Sequence, residues 1–159
     1  MTILATQLKL FRSTNGLGGA ITATEIVSNS LHNLFDIVSP TEARDGDTEY
    51  RCCYIKNMNT TLTLQDATVQ IISDTPSTGT VMGIGLDTAA IGTSGQTITD
   101  ESTAPIGVTF SQVLNNELAI GNIPPNSFKA FWVRRVITAG VAASASDPCT
   151  LRVLGATTA

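Results

Sequence analysis

From about residue 34 onward the chain alternates short β-rich runs with turn clusters, and this rhythm limits the fold more than any other feature. Residues 50–58, 80–86 and 128–137 are rich in β-branched and aromatic side chains and are flanked by Gly, Pro, Asn and Asp. The pattern predicts about seven to nine strands. It shows no long helical periodicity and no β–α–β alternation. The sequence therefore predicts an all-β fold, an antiparallel two-sheet β-sandwich of Ig-like or jelly-roll type. Further predicted strands cover residues 34–38, 67–73, 96–99, 107–110, 118–121 and 149–154.

The N-terminal region differs from the rest of the chain. Residues 8–12 are compatible with a short strand, residues 13–19 carry glycine-rich loop signals, and residues 22–34 have only weak helical spacing. We predict an extended N-terminal arm over residues 1–30, followed by a β-sandwich domain over residues 31–159. Apolar side chains of the arm are predicted to add a strand to a neighbour or to fill a groove on it, namely Leu8, Leu10, Phe11, Ile21 and Ile26.

Charged residues make up only 14% of the chain, against about 25% in an average soluble domain. A surface of hydroxyls and amides suits a protein packed against neighbours, and it equally suits an ordinary β domain. The net charge is −4 and the basic residues are scattered, which argues against nucleic-acid binding. No segment reaches the ~18–20 apolar residues of a membrane span. The first residues lack the pattern of a secretory signal peptide.

The titratable residues form no catalytic pattern. His32 is the single histidine, and no G-x-S-x-G elbow is present. Cys52, Cys53 and Cys149 are an odd number, so we predict buried free thiols in a reducing compartment. Adjacent cysteines do not have the spacing of a zinc site. We predict a non-enzymatic protein with no catalytic residue, no metal and no cofactor.

One acidic stretch is a candidate for a metal site. Asp45, Asp47 and Glu49 alternate around a glycine, and carboxylates at this spacing can contribute to a calcium site. They do not match the EF-hand loop. A solvated turn is favoured, because such turns routinely carry Asp and Gly.

The strand predicted at residues 128–137 is apolar on both faces. Only one face is needed for a sandwich core, so the other is a candidate contact surface for the arm or for a second subunit. Trp132, Arg134 and Arg135 are predicted as interface residues, because Trp and Arg are enriched in interface hot spots. The alternative is that Trp132 is the core tryptophan of an Ig-like sandwich. In that case the arginines pair with acidic residues on loops.

Four stretches resemble the tailed-bacteriophage virion structural proteins of the capsid decoration or cement type. They are residues 15–22 (NGLGGAIT), residues 46–52 (GDTEYRC) with Tyr54, Lys56 and Asn57, residues 104–111 (APIGVTFS), and residues 132–135 (WVRR). The resemblance extends from about residue 8 to residue 154. None of the stretches is a catalytic signature.

The resemblance implies a virion protein, assembled in the host cytoplasm and favoured at the capsid surface. It implies that the protein binds the major capsid protein, or other virion proteins, and stabilises the capsid lattice as a homo-oligomer such as a trimer. A tail, neck or baseplate component is the first alternative. A carbohydrate- or receptor-binding module is the second, although both tyrosines and the tryptophan lie in predicted strands.

Overall fold

The computed structural model describes residues 2–142, 144 and 147–157. Residue 1 of the predicted arm lies outside them, as do residues 143, 145, 146, 158 and 159 of the predicted sandwich domain. Within this part of the chain there are ten strands, one α-helix and two short 3-10 turns, at Ala5–Gln7 and Thr14–Gly16. The strands and the helix are β1 Leu8–Ser13, β2 Gly18–Gly19, β3 Ile21–Glu25, α1 Pro40–Asp45, β4 Asp47–Asn57, β5 Leu64–Ser73, β6 Thr80–Leu86, β7 Gly95–Thr97, β8 Leu118–Ile123, β9 Phe128–Ile137 and β10 Thr150–Ala156.

The strands form three antiparallel sheets, which confirms the predicted all-β, antiparallel fold. The largest sheet has the strand order β3-β1-β4-β9-β6, the second has the order β10-β5-β8, and β2 pairs with β7. In the centre of the largest sheet, Cys52 of β4 lies opposite Trp132 of β9, and Glu49 lies opposite Arg135. This register decides which side chains of the two long strands share a face.

One face of the five-stranded sheet packs against the three-stranded sheet. Alternate residues of β4, β6 and β9 point to this face and meet the inward side chains of β5 and β8. The resulting first core includes Cys53, Ile55, Met82, Ile84, Phe131 and Val133 from the larger sheet, and Leu64, Ala67, Val69, Ile71, Ile120 and Ile123 from the smaller sheet. Phe35, from the connection between β3 and α1, also belongs to it.

The opposite face of the five-stranded sheet carries a second core, which explains why β9 is apolar on both faces. Its buried members are Phe11, Cys52, Tyr54, Ile98, Ala130 and Trp132. The chain after β6 covers this face closely. A Cβ atom added to Gly85 would lie 2.5 Å from Val108 Cγ1 and 2.7 Å from the Thr109 carbonyl oxygen, so a glycine is required in β6 at this crossing. A glycine inside a strand often marks such a close approach by another part of the backbone.

The structure does not confirm an extended arm over residues 1–30. Strand β1 lies inside the five-stranded sheet, where Leu8 is opposite Asn57 and Arg12 is opposite Cys53, and β3 forms the edge next to it. Pairing with β3 and β4 satisfies backbone hydrogen bonds of β1 within the chain. The weak helical spacing over residues 22–34 does not produce a helix in its first residues, which are extended in β3.

Two predicted strands are not strands in the structure. Residues 34–38 are irregular and lead into α1, and residues 107–110 form only a loop that ends at an isolated bridge between Ser111 and Ile84. Helix α1 begins with a capping box, in which Ser39 Oγ accepts from the Glu42 amide at 3.2 Å and Glu42 Oε2 accepts from the Ser39 amide at 2.6 Å. Among the described residues, no helix is long and apolar enough to cross a membrane.

Candidate functional site

Trp132 is fully buried in the second core, and its indole is held by a buried carboxylate. Trp132 Nε1 donates to Asp87 Oδ2 at 2.5 Å, and the same carboxylate accepts from the backbone amides of Ala89 (2.7 Å) and Gln96 (3.3 Å). Lys129 Nζ donates to the Asp87 carbonyl oxygen at 2.9 Å, and burial lowers the pKa of this amine. These bonds fasten the chain after β6 to β9. The indole is therefore packed inside the chain and does not lie on an accessible surface.

The apolar residues predicted as arm contacts also pack within the chain. Leu8, Leu10 and Ile26 are partly buried against the first core. Phe11 is a buried member of the second core and Ile21 packs beside it. The second core thus contains both Phe11 and Trp132, and Ile21 packs against it. A role of these residues between chains stays a prediction.

Arg134 and Arg135 point to opposite faces of β9. The Arg134 guanidinium carbon lies 5.1 Å from the centre of the Phe110 ring on the second-core face. Arg135 points to the first-core face, where it contacts Asp36 and Glu49. The expectation of an acidic loop partner is confirmed for Arg135, because Asp36 lies in the connection between β3 and α1.

The polar end of the first core contains a cluster of five charged residues, which we call the ion-pair cluster: Asp36, Glu49, Arg51, Glu101 and Arg135. Arg135 Nε donates to Glu49 Oε2, and Arg51 Nη2 donates to Glu101 Oε2. Arg135 Nη1 also donates to the Asp36 carbonyl oxygen at 2.9 Å. The cluster therefore joins β4, β9, the chain before α1 and the chain after β7.

Phe35 supports the two guanidiniums of the ion-pair cluster. Its ring centre lies 4.7 Å from Cζ of Arg135 and 5.4 Å from Cζ of Arg51. Both distances are within the range of cation–π contacts. Because Phe35 is itself buried in the first core, it holds both arginines at the end of that core.

Glu49 is the most deeply buried carboxylate of the cluster. It is fully buried, and its Oε1 atom has no hydrogen-bond partner among the described residues. Burial raises the pKa of Glu49, and the hydrogen bond from Arg135 acts in the opposite direction. A carboxylate that is removed from water and has one unsatisfied oxygen binds a proton more readily than an exposed one.

Of the three carboxylates considered for a calcium site, only Glu49 belongs to the group of carboxylates that lie together in space. One carboxylate oxygen from each of Asp36, Glu49 and Glu101 lies within 4.8 Å of the other two. By contrast, Asp45 pairs with Arg44, and Asp47 accepts a hydrogen bond from the Thr48 amide. Each carboxylate of the cluster contacts an arginine. Two guanidiniums offset two of the three negative charges and contact all three acids, so the geometry favours an ion-pair network over a metal centre.

The cysteines are free in the structure. Cys52 and Cys53 are buried in β4 on opposite faces, and Cys149 is partly buried. Burial raises the pKa of Cys52 and Cys149 to about 12, and it raises the pKa of Cys53 as well. The prediction of buried free thiols is confirmed for the first two. His32 is exposed, and its carbonyl oxygen accepts from Arg12 Nη2 at 3.0 Å.

The most exposed large apolar side chain among the described residues is Ile106, which is 85% exposed. The Gln96 side chain fixes its backbone, because Ile106 N donates to Gln96 Oε1 at 2.7 Å and Gln96 Nε2 donates to Ile106 O at 3.0 Å. Pro105 is buried and Gly107 has φ +73°, a conformation that favours glycine. The turn therefore presents an apolar side chain to solvent from a defined backbone. Sequence patterning alone could not distinguish it from a buried residue.

Comparisons of this chain with protein-family models, with curated proteins and with solved structures give no match.

Proposed function

We propose that the protein is a non-enzymatic structural protein of a tailed-bacteriophage virion, which decorates and stabilises the capsid by binding the lattice of the major capsid protein. In this proposal the body is a β-sandwich, with the three-stranded sheet packed on the five-stranded sheet. It acts as a small homo-oligomer such as a trimer, on the capsid surface, after assembly in the host cytoplasm. The support for the virion is the resemblance of four stretches of the sequence.

The observation that carries the proposal is the Ile106 turn. It lies in residues 104–111, one of the stretches on which the resemblance depends, and it exposes an isoleucine from a backbone fixed by Gln96. A rigid apolar side chain loses little conformational entropy when another protein covers it. Burial of one isoleucine contributes about 1.5–3 kcal/mol. Repetition over a lattice turns such modest contacts into firm attachment.

An add-back experiment tests the proposal. Particles that lack the protein are incubated with purified wild-type chain, and the bound copies are counted. We expect copies over the whole head, and we expect Ile106→Asp to fold normally and to lose most of the attachment. Val113→Asp, at another exposed apolar loop residue, is the matched control and should attach like the wild type.

Three results would contradict the proposed function or the role of the Ile106 turn in it. Binding restricted to a tail or a vertex would favour a tail, neck or baseplate component. Equal loss in both variants would show that attachment follows general surface apolarity and does not depend on the Ile106 turn. Binding to glycans in place of particles would favour a carbohydrate- or receptor-binding module.

A further inference from the structure

The two arginines of the ion-pair cluster are fixed before any ligand arrives. Arg51 and Arg135 extend from neighbouring strands, and their side chains are only 10% and 11% exposed. Glu101 and Glu49 each accept a hydrogen bond from one of them, and the Phe35 ring contacts both guanidiniums. Two guanidiniums held side by side in this way are preorganised for a carboxylate, which arginine binds with charge-assisted hydrogen bonds.

Asp36 is the weakly held acid of the cluster. Its Oδ1 atom lies 3.4 Å from Arg51 Nη2 and 3.6 Å from Arg135 Nη2, and its side chain is 65% exposed. Charge-assisted N–H···O bonds are normally about 2.7–2.9 Å long. Meanwhile the buried Arg135 Nη2 atom has no hydrogen-bond partner among the described residues. A fixed donor therefore remains unsatisfied beside a carboxylate that only approaches it.

We propose that Arg51 and Arg135 form a binding site for an acidic side chain of a partner protein, which displaces the chain's own Asp36. The exchange replaces one carboxylate by another, so the charge of the site does not change and no additional ion is buried. A carboxylate that approaches from solvent can move closer to Arg135 Nη2 than Asp36 does, because its position is not tied to the backbone of residues 35 and 37. The gain is a hydrogen bond to a donor that is otherwise unsatisfied.

A protein side chain fits the entrance better than a small acid does. Ile37 follows Asp36 in sequence and is 71% exposed, so a partner chain that supplies the carboxylate also covers an apolar side chain. A free small acid would gain the ion pairs alone. The choice of a protein as the source of the carboxylate rests on the proposed function, whereas the chemistry of the site does not.

An Asp36→Ala variant tests the site directly, because it removes the internal carboxylate and leaves Phe35 and both arginines in place. We expect sodium acetate to raise the thermal midpoint of Asp36→Ala above its value in sodium chloride of equal ionic strength at neutral pH. At an acetate concentration of ten times Kd, the folding equilibrium constant rises roughly tenfold. Asp45→Ala is the matched control, because it frees the exposed Arg44. Equal responses of Asp36→Ala to acetate and chloride would overturn the proposal.

Blocked amino acids separate a protein side chain from a small acid. N-acetyl-aspartate α-amide should stabilise Asp36→Ala at least as well as acetate does, and the corresponding asparagine compound should not. Stabilisation by acetate alone would overturn the assignment to a protein side chain.

A measurement on the wild-type chain tests the site even if the Asp36→Ala variant fails to fold. The side-chain Nε resonances of Arg51 and Arg135 should shift in a saturable way when blocked aspartate is added, and the absence of any shift up to its solubility limit would overturn the proposal. These experiments use no particles. Their failure would leave the virion proposal standing, and failure of the add-back experiment would leave the carboxylate site standing.

Discussion

Glu49 of β4 and Arg135 of β9 lie opposite each other in the five-stranded sheet, and Arg135 Nε donates to the fully buried carboxylate of Glu49. The second oxygen of that carboxylate has no hydrogen-bond partner among the described residues. The pair is therefore neutral in charge but incompletely satisfied. This makes it sensitive both to the loss of either partner and to pH.

The stability contributed by Glu49 should depend on pH. Burial raises its folded-state pKa above the ordinary value of 4.5, so its contribution is fully present below 4.5 and is lost as pH rises through the folded pKa. Glu49→Gln has no such titration. The free energy of unfolding of Glu49→Gln, minus that of the wild type, should therefore increase as pH rises from 4.5 towards neutrality. Denaturant titrations of both proteins across this range measure the difference, and a difference that shrinks with pH would contradict the burial effect.

Removal of Arg135 should lower the free energy of unfolding far more than neutralisation of Glu49 does. Arg135→Met leaves Glu49 buried with no guanidinium opposite it, and breaking a buried ion pair in this way costs about 3–5 kcal/mol. Denaturant midpoints measure the loss. Arg44→Met is the control, because Arg44 pairs with Asp45 at an exposed site, and its midpoint should match that of the wild type. Equal midpoints for Arg135→Met and the wild type would show that the pair does not stabilise the fold.

The hydrogen bond between Trp132 and Asp87 can be followed by fluorescence, because Trp132 is the only tryptophan of the chain. Asp87→Ala removes the acceptor of the indole N–H and of two backbone amides. Each buried donor left unsatisfied costs about 1–3 kcal/mol. We expect a lower unfolding midpoint together with an emission shifted to longer wavelength in the folded state. An unchanged spectrum and midpoint would mean that the carboxylate does not hold the chain over β9.

How far the sequence predicted this fold depends on the element. The predicted strands at residues 80–86 and 128–137 coincide with β6 and β9, because long β-rich runs with clear turn flanks carry their own signal. Helix α1 was missed, although Ser39 followed by Pro40 and Glu42 is a capping-box pattern. The prediction of a strand at residues 34–38 was wrong. These residues are irregular, and Phe35 packs beneath the guanidiniums of two arginines.

The ion-pair cluster could not be predicted from sequence spacing. Glu49 and Arg135 are far apart in the chain and meet only through the register of β4 and β9. Asp36 lies in the irregular connection between β3 and α1, and Glu101 lies in the one between β7 and β8. No periodicity positions such residues. The acids that are close in sequence, Asp45, Asp47 and Glu49, are therefore not the acids that meet in space. Only Glu49 belongs to both sets.

The thiols should be unreactive in the folded chain. Burial raises the pKa of Cys52 and Cys149 to about 12 and raises that of Cys53, so little thiolate is present at pH 8. Titration with a thiol-specific chromogenic reagent should release colour slowly from the native protein and quickly, for three thiols, from the unfolded protein. Rapid reaction of one thiol in the native state would place that cysteine at an accessible surface.

Antibody-gold labelling of the intact particles that carry this gene, viewed by electron microscopy, tests the capsid proposal most directly. We expect label spread evenly over the heads. Label confined to a vertex or a tail, or particles with no label, would contradict a capsid decoration protein.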